Sequence, residues 1–541
     1  MLQYLSVFAG GATLEAMEFV CAGDGVDKND VLNLTSQLVN KSLVLTSQTS
    51  SETRFRLLET IRQYASQKLT EAADMDESRN RHLDYFLQWA KNAEPHLNGA
   101  DQVMWLQRFE LENDNLRAAL DWSLLAANRV EMGLHLATIT AIFWKLHGHY
   151  NEGRLRLAVF LAQEFLRRPT PLRAQALYGA CVLAFYQSDY PAVNALAEES
   201  LFICREHGSE SHLGVANALE MLAEAASETG EYLTATHLYE EALLLYREVG
   251  YLLGICDTLK MMCYTDMRAG NFEQIESRME EALVISRQSK SPYSIASSLA
   301  ALGELSVRQG RIERAQSFLK EGLRISQRLG DKWGTAVALG SLGWLALRQG
   351  DFGEMRKLLK QSLDIRIETG DRGGMAWCLE KLAEAHSLQT RYRQAAVILG
   401  TAAALRAPMG SMMDAADRPE YERMISSLRT LLGKEAFDAA WHEGQAMTLE
   451  QAVDYTLTEP VLEKIGNNLK EEFGGLTERE REVAVWIVQG KSNREMAKAM
   501  TVGVRTIETY VSRILSKLGF DSRVQIATWV IEKGLNKKKP Q

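Results

Sequence analysis

Apolar residues recur three and four positions apart through most of this chain, as in "AVALGSLGWLALRQG" at 336–350. That spacing lays one apolar stripe along a helix and predicts amphipathic helices rather than strands. The stripes come in a fixed beat. An aromatic or aliphatic residue closes a short turn at Tyr150 ("GHY"), Tyr190 ("SDY"), Tyr232 ("GEY"), Phe272 ("GNF"), Ile312 ("GRI"), Phe352 ("GDF") and Tyr392 ("TRY"). The intervals are 40, 42, 40, 40, 40 and 40 residues. A register kept over seven copies is a repeat, and repeats of this length build solenoids of stacked helix pairs.

Small side chains keep the same time. Ten residues after six of the marks stand Ser200, Ala242, Ala282, Gly322, Ser362 and Ala402. Seven residues before the turn residue stand Cys181, Ala223, Cys263, Gly303, Gly343 and Ala383. Small residues at fixed positions let two helix backbones approach closely. The turn glycine is expected in the left-handed conformation past a helix end. The pattern resembles tetratricopeptide repeats in a longer, 40-residue form. The first copy has Phe160 in place of the small residue, as a degenerate end repeat would. Such a solenoid offers a concave surface to a protein or small-molecule effector, while its Tyr, Trp and Met residues read first as core.

Both ends depart from the beat. Near the N-terminus, "SLVLTS" and "RFRLL" flank the polar "QTSSET" and are followed by a helical stretch. Helix, hairpin, helix is a winged-helix order. From Met1 to Thr70 there are 6 basic and 7 acidic residues, so a packing or regulatory role suits this segment better than DNA contact. At the C-terminus four helices are expected. Thr477 with Glu480 and Ser492 with Glu495 form capping boxes that start the first two. Gly490 ends the first. The third runs from about Val504 to Leu518, Gly519 stops it, and Ser522 starts the fourth. A short second helix and a long third make a helix-turn-helix. The expected fold class is therefore all-α: a helical-repeat solenoid with an N-terminal winged-helix-like segment and a C-terminal four-helix domain. The expected domains are the winged-helix-like segment at 1–75, a helical connector at 76–134, repeats at 135–415, a helical linker at 416–470 and the helix-turn-helix at 471–541.

Charge sharpens the division. The 541 residues carry a net −9, yet Gly474 to Gln541 hold 13 Lys and Arg against 7 Asp and Glu, a local +6 that leaves −15 for the rest. A basic end on an acidic body points to nucleic acid at that end. Lys537, Lys538 and Lys539 supply three of the charges, and a solvated tail explains them equally well. Six scattered cysteines without a C-x-x-C pair suggest neither zinc nor a disulfide framework and fit a reducing cytoplasm. No stretch reaches the roughly 20 apolar residues of a membrane span. His147 and His149 lie in a turn without the further ligands a metal needs. No cofactor, metal or catalytic constellation is expected.

The C-terminal block "LTEREREV", "GKSNREMA", "RTIETYVSRILSKLG" and "SR" resembles the LuxR-type DNA-binding domain. "LSVFAGGATLEAMEFVC", "RFRLLETIRQYA" and "ELENDNLRAALDWSL" look like the segment after the nucleotide-binding domain in large LuxR-type regulators of the STAND ATPase kind. Thr501 stands where that family usually has Gly, Gly503 where it often has a Ser or Thr cap, and Tyr510 where His is common. The only Gly-Lys-Ser, at 490–492, has Val485 in place of the first P-loop glycine, so no nucleotide site is expected in this chain. The resemblance implies an expectation that the chain begins where the family's NTPase module normally ends.

The resemblance implies a cytoplasmic, sequence-specific regulator that binds double-stranded DNA, as a homodimer because one small domain grips a half-site weakly. In the third helix, Ile507, Val511, Ile514, Leu515 and Leu518 are expected to pack inward. The candidate DNA-contacting residues are Ser492, Arg494, Arg505, Thr506, Glu508, Thr509, Tyr510, Ser512, Arg513 and Lys517. Glu508 either accepts a hydrogen bond from cytosine N4 in the major groove or pairs with Arg505 or Arg513 on the helix surface. A competing reading is a protein-interaction scaffold, or a non-catalytic partner of a separate NTPase.

Overall fold

The computed structural model describes residues 1–23, 25–48, 52–72, 74–409, 417–458, 476, 478–500 and 504–532. Thr477, Thr501, Gly503, the hairpin tip at 49–51, the stretch 459–475 and the lysine tail lie outside the described residues. The chain forms two compact units, Met1–Thr456 and Leu457–Gln541.

The expected hairpin is present. Strands β2 (Val44–Gln48) and β3 (Thr53–Leu57) pair antiparallel, with Val44 opposite Leu57 and Gln48 opposite Thr53. Helix Val31–Asn40 precedes them and helix Glu59–Glu71 follows. A two-residue strand β1 (Ala12–Thr13) adds to β3 and gives the sheet order β1-β3-β2. It is too short to leave a periodic signal in the sequence. The "ELENDN" stretch holds it. Asn115 accepts hydrogen bonds from the Ala9 and Gly10 amides and donates to the Gly11 carbonyl at 2.8 Å. Glu112 pairs with Arg54 of β3, and both side chains are under one-tenth exposed.

Seven helix pairs follow. Their second helices begin at Tyr150, Tyr190, Tyr232, Ile275, Ile312, Phe352 and Tyr392. Six of these are the sequence marks. Phe272 is the exception: it stays outside the helix and 56% exposed, while Ile275 takes the buried position. At every mark one hydrogen bond spans the turn from the residue before the mark to a carbonyl five positions earlier, as from Glu231 to Ala226 at 2.8 Å and Asp351 to Ala346 at 2.9 Å. That bond needs a left-handed residue in the turn. Gly supplies it at five copies. Ser188 (φ 59°) and Thr390 (φ 61°) adopt it at the other two, where the repeat lacks Gly. A second left-handed register, unmarked in the sequence reading, joins successive pairs at Gly250, Lys290, Gly330 and Gly370.

The small residues are contact points. Ser200 and Ser362 donate hydrogen bonds across the helix pair to the carbonyls of Ala174 and Ala336, at 3.0 and 2.7 Å. A side chain at Gly303 would meet Leu319. Beyond the last pair, helices Arg418–Leu432 and Lys434–Ala446 continue the stacking. Phe437 and Ala440 are buried, and Gly444 lies so close to the Val397 carbonyl that a Cβ would overlap it.

The stack also closes on itself. Tyr186 and Tyr293 share a hydrogen bond at 3.0 Å, Tyr186 packs edge-on to Trp333 at 5.4 Å, and the Gly373 amide donates to Ser188 at 3.2 Å. The concave surface expected of an open solenoid is thereby narrowed to a cavity of about 280 Å³.

Candidate nucleic-acid interface

The second unit is built from helices Glu478–Val488, Asn493–Ala499, Val504–Leu518 and Arg523–Glu532. Gly490, at φ 73°, ends the first, and Ser492 caps the second, so the Gly-Lys-Ser triplet is the connection between two helices. The capping box is complete: Ser492 Oγ accepts from the Glu495 amide at 3.3 Å, and Glu495 accepts from the Ser492 amide at 2.7 Å. Ser522 and Gln525 cap the fourth helix reciprocally, at 3.4 and 2.9 Å. Caps of this kind stabilise a helix by about 1 kcal/mol each. Here they also fix where one helix stops and the next starts, which sets how the third is presented.

The core is small and aliphatic. Val483, Ile487, Met496, Ile507, Ile514 and Ile526 are buried together. Of the five third-helix residues expected inward, Ile507 and Ile514 are buried, while Val511, Leu515 and Leu518 are half-buried against the same cluster. This leaves a polar outer face. Thr506, Glu508, Thr509, Ser512 and Arg513 are exposed along it. Ser492 and Arg494 are exposed at the start of the second helix. The side chain of Arg505 lies outside the described residues. No ion pair joins Glu508 to Arg513 among the described residues.

Two candidates are placed differently from the rest. Tyr510 is half-buried and packs on the aliphatic core, at the border of the face. Lys517 turns toward the first helix, where its Nζ meets Glu480 Oε2 at 2.5 Å. Glu480 is only 2% exposed, so Lys517 neutralises a carboxylate the domain has buried. The sequence shows a cation near a helix end but not that a carboxylate 37 residues earlier needs it. Arg523 of the "SR" motif is likewise internal. It donates to Asn493 at 2.8 Å and to the Lys491 carbonyl, tying the fourth helix to the approach to the second. Around the face Lys491 sits 3.9 Å from Glu495, a loose surface pair that leaves its charge available.

Comparison with known proteins agrees with this geometry. Residues 475–530 match the family of bacterial regulatory proteins of the luxR type. Residues 296–368 and 334–407 match the tetratricopeptide repeat. A Mycobacterium tuberculosis protein named as an HTH-type transcriptional regulator is 33% identical over 220 residues, which are 39% of this chain and 25% of that protein. The response regulator VraR of Staphylococcus aureus is 40% identical over 78 residues, 14% of this chain and 37% of its own. The chain thus spans about a quarter of the length of the mycobacterial relative. Among solved structures, a Rap protein complexed with competence and sporulation factor is similar at a TM-score of 0.43, with 14% identity over 73% of this chain and 99% of that one. A STAND protein with a tetratricopeptide repeat sensor from Pyrococcus horikoshii gives 0.42, with 12% identity over 82% of this chain and 64% of that one. Among the described residues no helix is long and apolar enough to cross a membrane, and no group of three His, Cys, Asp or Glu residues is placed to hold a metal.

Proposed function

We propose that this chain is a transcriptional regulator that binds double-stranded DNA through the second unit, with the repeat body as its sensing or docking part. The observation that carries the reading is the exposed polar face of Val504–Leu518, within a segment that matches the LuxR type. Thr506, Thr509 and Ser512 on it are short, which lets the helix backbone come close to base edges. Thr506, Glu508, Thr509 and Ser512 lie on the side that would enter the major groove, and Arg494 and Arg513 flank it for phosphates. Arg505 is assigned to the same face by its position in the helix. Ser492 is assigned to the phosphate backbone at the second helix start, where the amide dipoles also point. Tyr510 and Lys517 act first as packing and charge-neutralising groups and reach DNA only at the edge of the contact. Binding as a homodimer follows from the small area one such domain offers.

The test is fluorescence polarisation of the full chain against labelled duplex DNA over a salt series. Affinity should fall steeply as salt rises, because phosphate contacts release condensed counterions. Replacing Arg494 and Arg513 by Ala together should flatten the slope. DNA affinity absent at low salt would favour the scaffold reading. The N-terminal hairpin segment, with its balanced charge and its buried Arg54–Glu112 pair, is proposed as a structural winged helix without DNA contact.

A further inference from the structure

The cavity inside the repeat body has a wall of unusual make-up. Tyrosine and tryptophan side chains, among them Tyr178, Tyr186, Tyr264, Tyr293 and Trp333, alternate with equal numbers of cationic and anionic groups. Nearly all of these charges are matched by neighbouring side chains, in the wall or just behind it. Lys260 pairs with Asp257 at 2.7 Å, Arg268 with Glu228 at 2.5 Å, and Arg308 with Glu304 at 3.4 Å. Arg366 pairs with Asp371, and Arg406 reaches Glu380 at 2.7 Å. Glu220 accepts hydrogen bonds from Tyr246 at 2.8 Å and Thr258 at 3.0 Å.

Two groups are left over, and they have opposite sign. Lys145, on helix Ala127–His147, holds its ammonium 4.3 Å from the centre of the Tyr293 ring and 5.4 Å from that of Tyr186, with no hydrogen bond or ion pair among the described residues. Glu224, on helix His212–Glu228, faces the same cavity and likewise has neither. Burial, with the nearby Glu220 carboxylate, pushes Glu224 well above the usual carboxylate range, and Lys145 only partly opposes this. Burial lowers Lys145 against the attraction of Asp257, Asp331 and Glu224. Beyond this mutual attraction neither group has a partner in direct contact, where a buried ion without one costs several kcal/mol.

We propose that this cavity binds a small zwitterion of the free amino acid or dipeptide class, its carboxylate on Lys145 and its ammonium on Glu224. The volume of about 280 Å³ is at the small end of ligand sites and suits a molecule of that size. Other classes fit the charges less well. A neutral sugar would leave both ions unmatched. A nucleotide would bring several negative charges to a wall whose arginines are already paired. A zwitterion matches both groups and adds no net charge. The proposal rests on the repeat body being the sensing part and names what it senses.

Isothermal titration calorimetry of the full chain against the standard free amino acids and alanyl-alanine tests it, with N-acetyl-leucinamide, maltose and ATP as probes of the other classes. At least one zwitterion should bind. Its analogue blocked at both charged ends should bind at least about tenfold more weakly, the least that losing a desolvated charge pair implies. Glu224→Gln, which keeps the side-chain shape, and Lys145→Met should each lower the affinity by a similar factor. If Lys145→Met does not fold, Glu224→Gln alone decides. No binding by any zwitterion, equal binding by the blocked analogue, or undiminished binding by the folded variants would each overturn the proposal. The titrations contain no DNA, so such a failure leaves the salt-dependent DNA result standing.

Discussion

The two compact units handle polar groups in opposite ways. The first unit takes charges inside and pairs them there: Arg54 with Glu112 under the N-terminal sheet, Arg366 with Asp371 beside the cavity. The helix-turn-helix unit buries mostly aliphatic side chains, with Glu480 as a buried carboxylate, and turns Thr506, Glu508, Thr509, Ser512 and Arg513 outward. A buried pair needs both partners and one geometry, so it fixes how elements meet. An exposed row turns its side chains to solvent, where an external partner can meet them. Substitutions in the two units should therefore fail differently, by unfolding in the first and by altered recognition in the second.

The largest effect should come from breaking a buried pair. Glu112→Ala removes the carboxylate beside Arg54 and one acceptor of Asn115, whose amide lies 2.7 Å away. A loss of about 3–5 kcal/mol is expected, as for other buried pairs that lose one partner. Thermal unfolding should show the first unit melting earlier while the second is unchanged. If Glu112→Ala melts like the parent, the N-terminal sheet does not depend on that pair and the contrast drawn above is wrong for it.

In the outward-facing helix the expected effect is on choice of sequence. Glu508→Ala or Thr509→Ala should each shift preference at one base position by about 1–3 kcal/mol with little change in melting. Lys517→Ala should do the reverse. It takes the ammonium away from the buried Glu480 and lowers stability by about 1–2 kcal/mol, less than a fully buried pair because Lys517 is partly exposed. Selection of sites from a random DNA pool, run beside thermal melts of the same variants, separates the outcomes. Unchanged base preference in both Glu508→Ala and Thr509→Ala would mean that a different face of this helix enters the groove.

What the sequence showed and what it hid divides along the same line. The beat of Tyr190, Tyr232, Ile312 and Phe352 was readable because a periodic stack must repeat its turn chemistry. The capping box at Ser492 and the helix start at Ser522 were readable because caps are local. Closure of the stack was not, since the Tyr186–Tyr293 contact spans 107 residues and neither residue carries a mark of it. For the same reason tyrosines taken for core proved to wall a cavity, and Lys517 proved to have a partner in the first helix. Phe272 was misplaced because the turn there contains Gln274 in a left-handed conformation, which shifts the helix start by three residues.

A smaller effect, dependent on pH, tests the cavity wall. Burial, then the nearby Asp257 charge, pushes the Glu220 carboxyl from an ordinary 4.5 up to about 7. The folded state therefore holds a proton that the unfolded chain gives up. The stability contributed by that proton is complete below about pH 4.5 and is lost as the pH rises toward 7. Glu220→Gln keeps hydrogen-bonding atoms for Tyr246 and Thr258 but cannot ionise. It should match the parent near pH 4.5 and exceed it at pH 8, by at most about 3 kcal/mol for a shift of that size. A gain of equal size at both pH values would assign the effect to packing instead.

The smallest expected effect is also the one with the least obvious sign. Thr390 occupies the left-handed turn position that five other copies give to glycine, and its side chain is exposed. For a β-branched residue that conformation costs roughly 1–2 kcal/mol. Replacing it by Gly removes the cost but frees the unfolded chain, which takes back about 0.5–1 kcal/mol. The turn bond from Arg391 to the His386 carbonyl, 2.9 Å, uses backbone atoms alone and is kept. Thr390→Gly should thus stabilise the body by about half a kcal/mol, while Gly350→Thr, at the matching turn one copy earlier in the stack, should destabilise it by a similar or larger amount. Opposite shifts in melting temperature would show that the left-handed register sets the sequence at this position. Two shifts of the same sign would show that the turns differ in something other than backbone conformation.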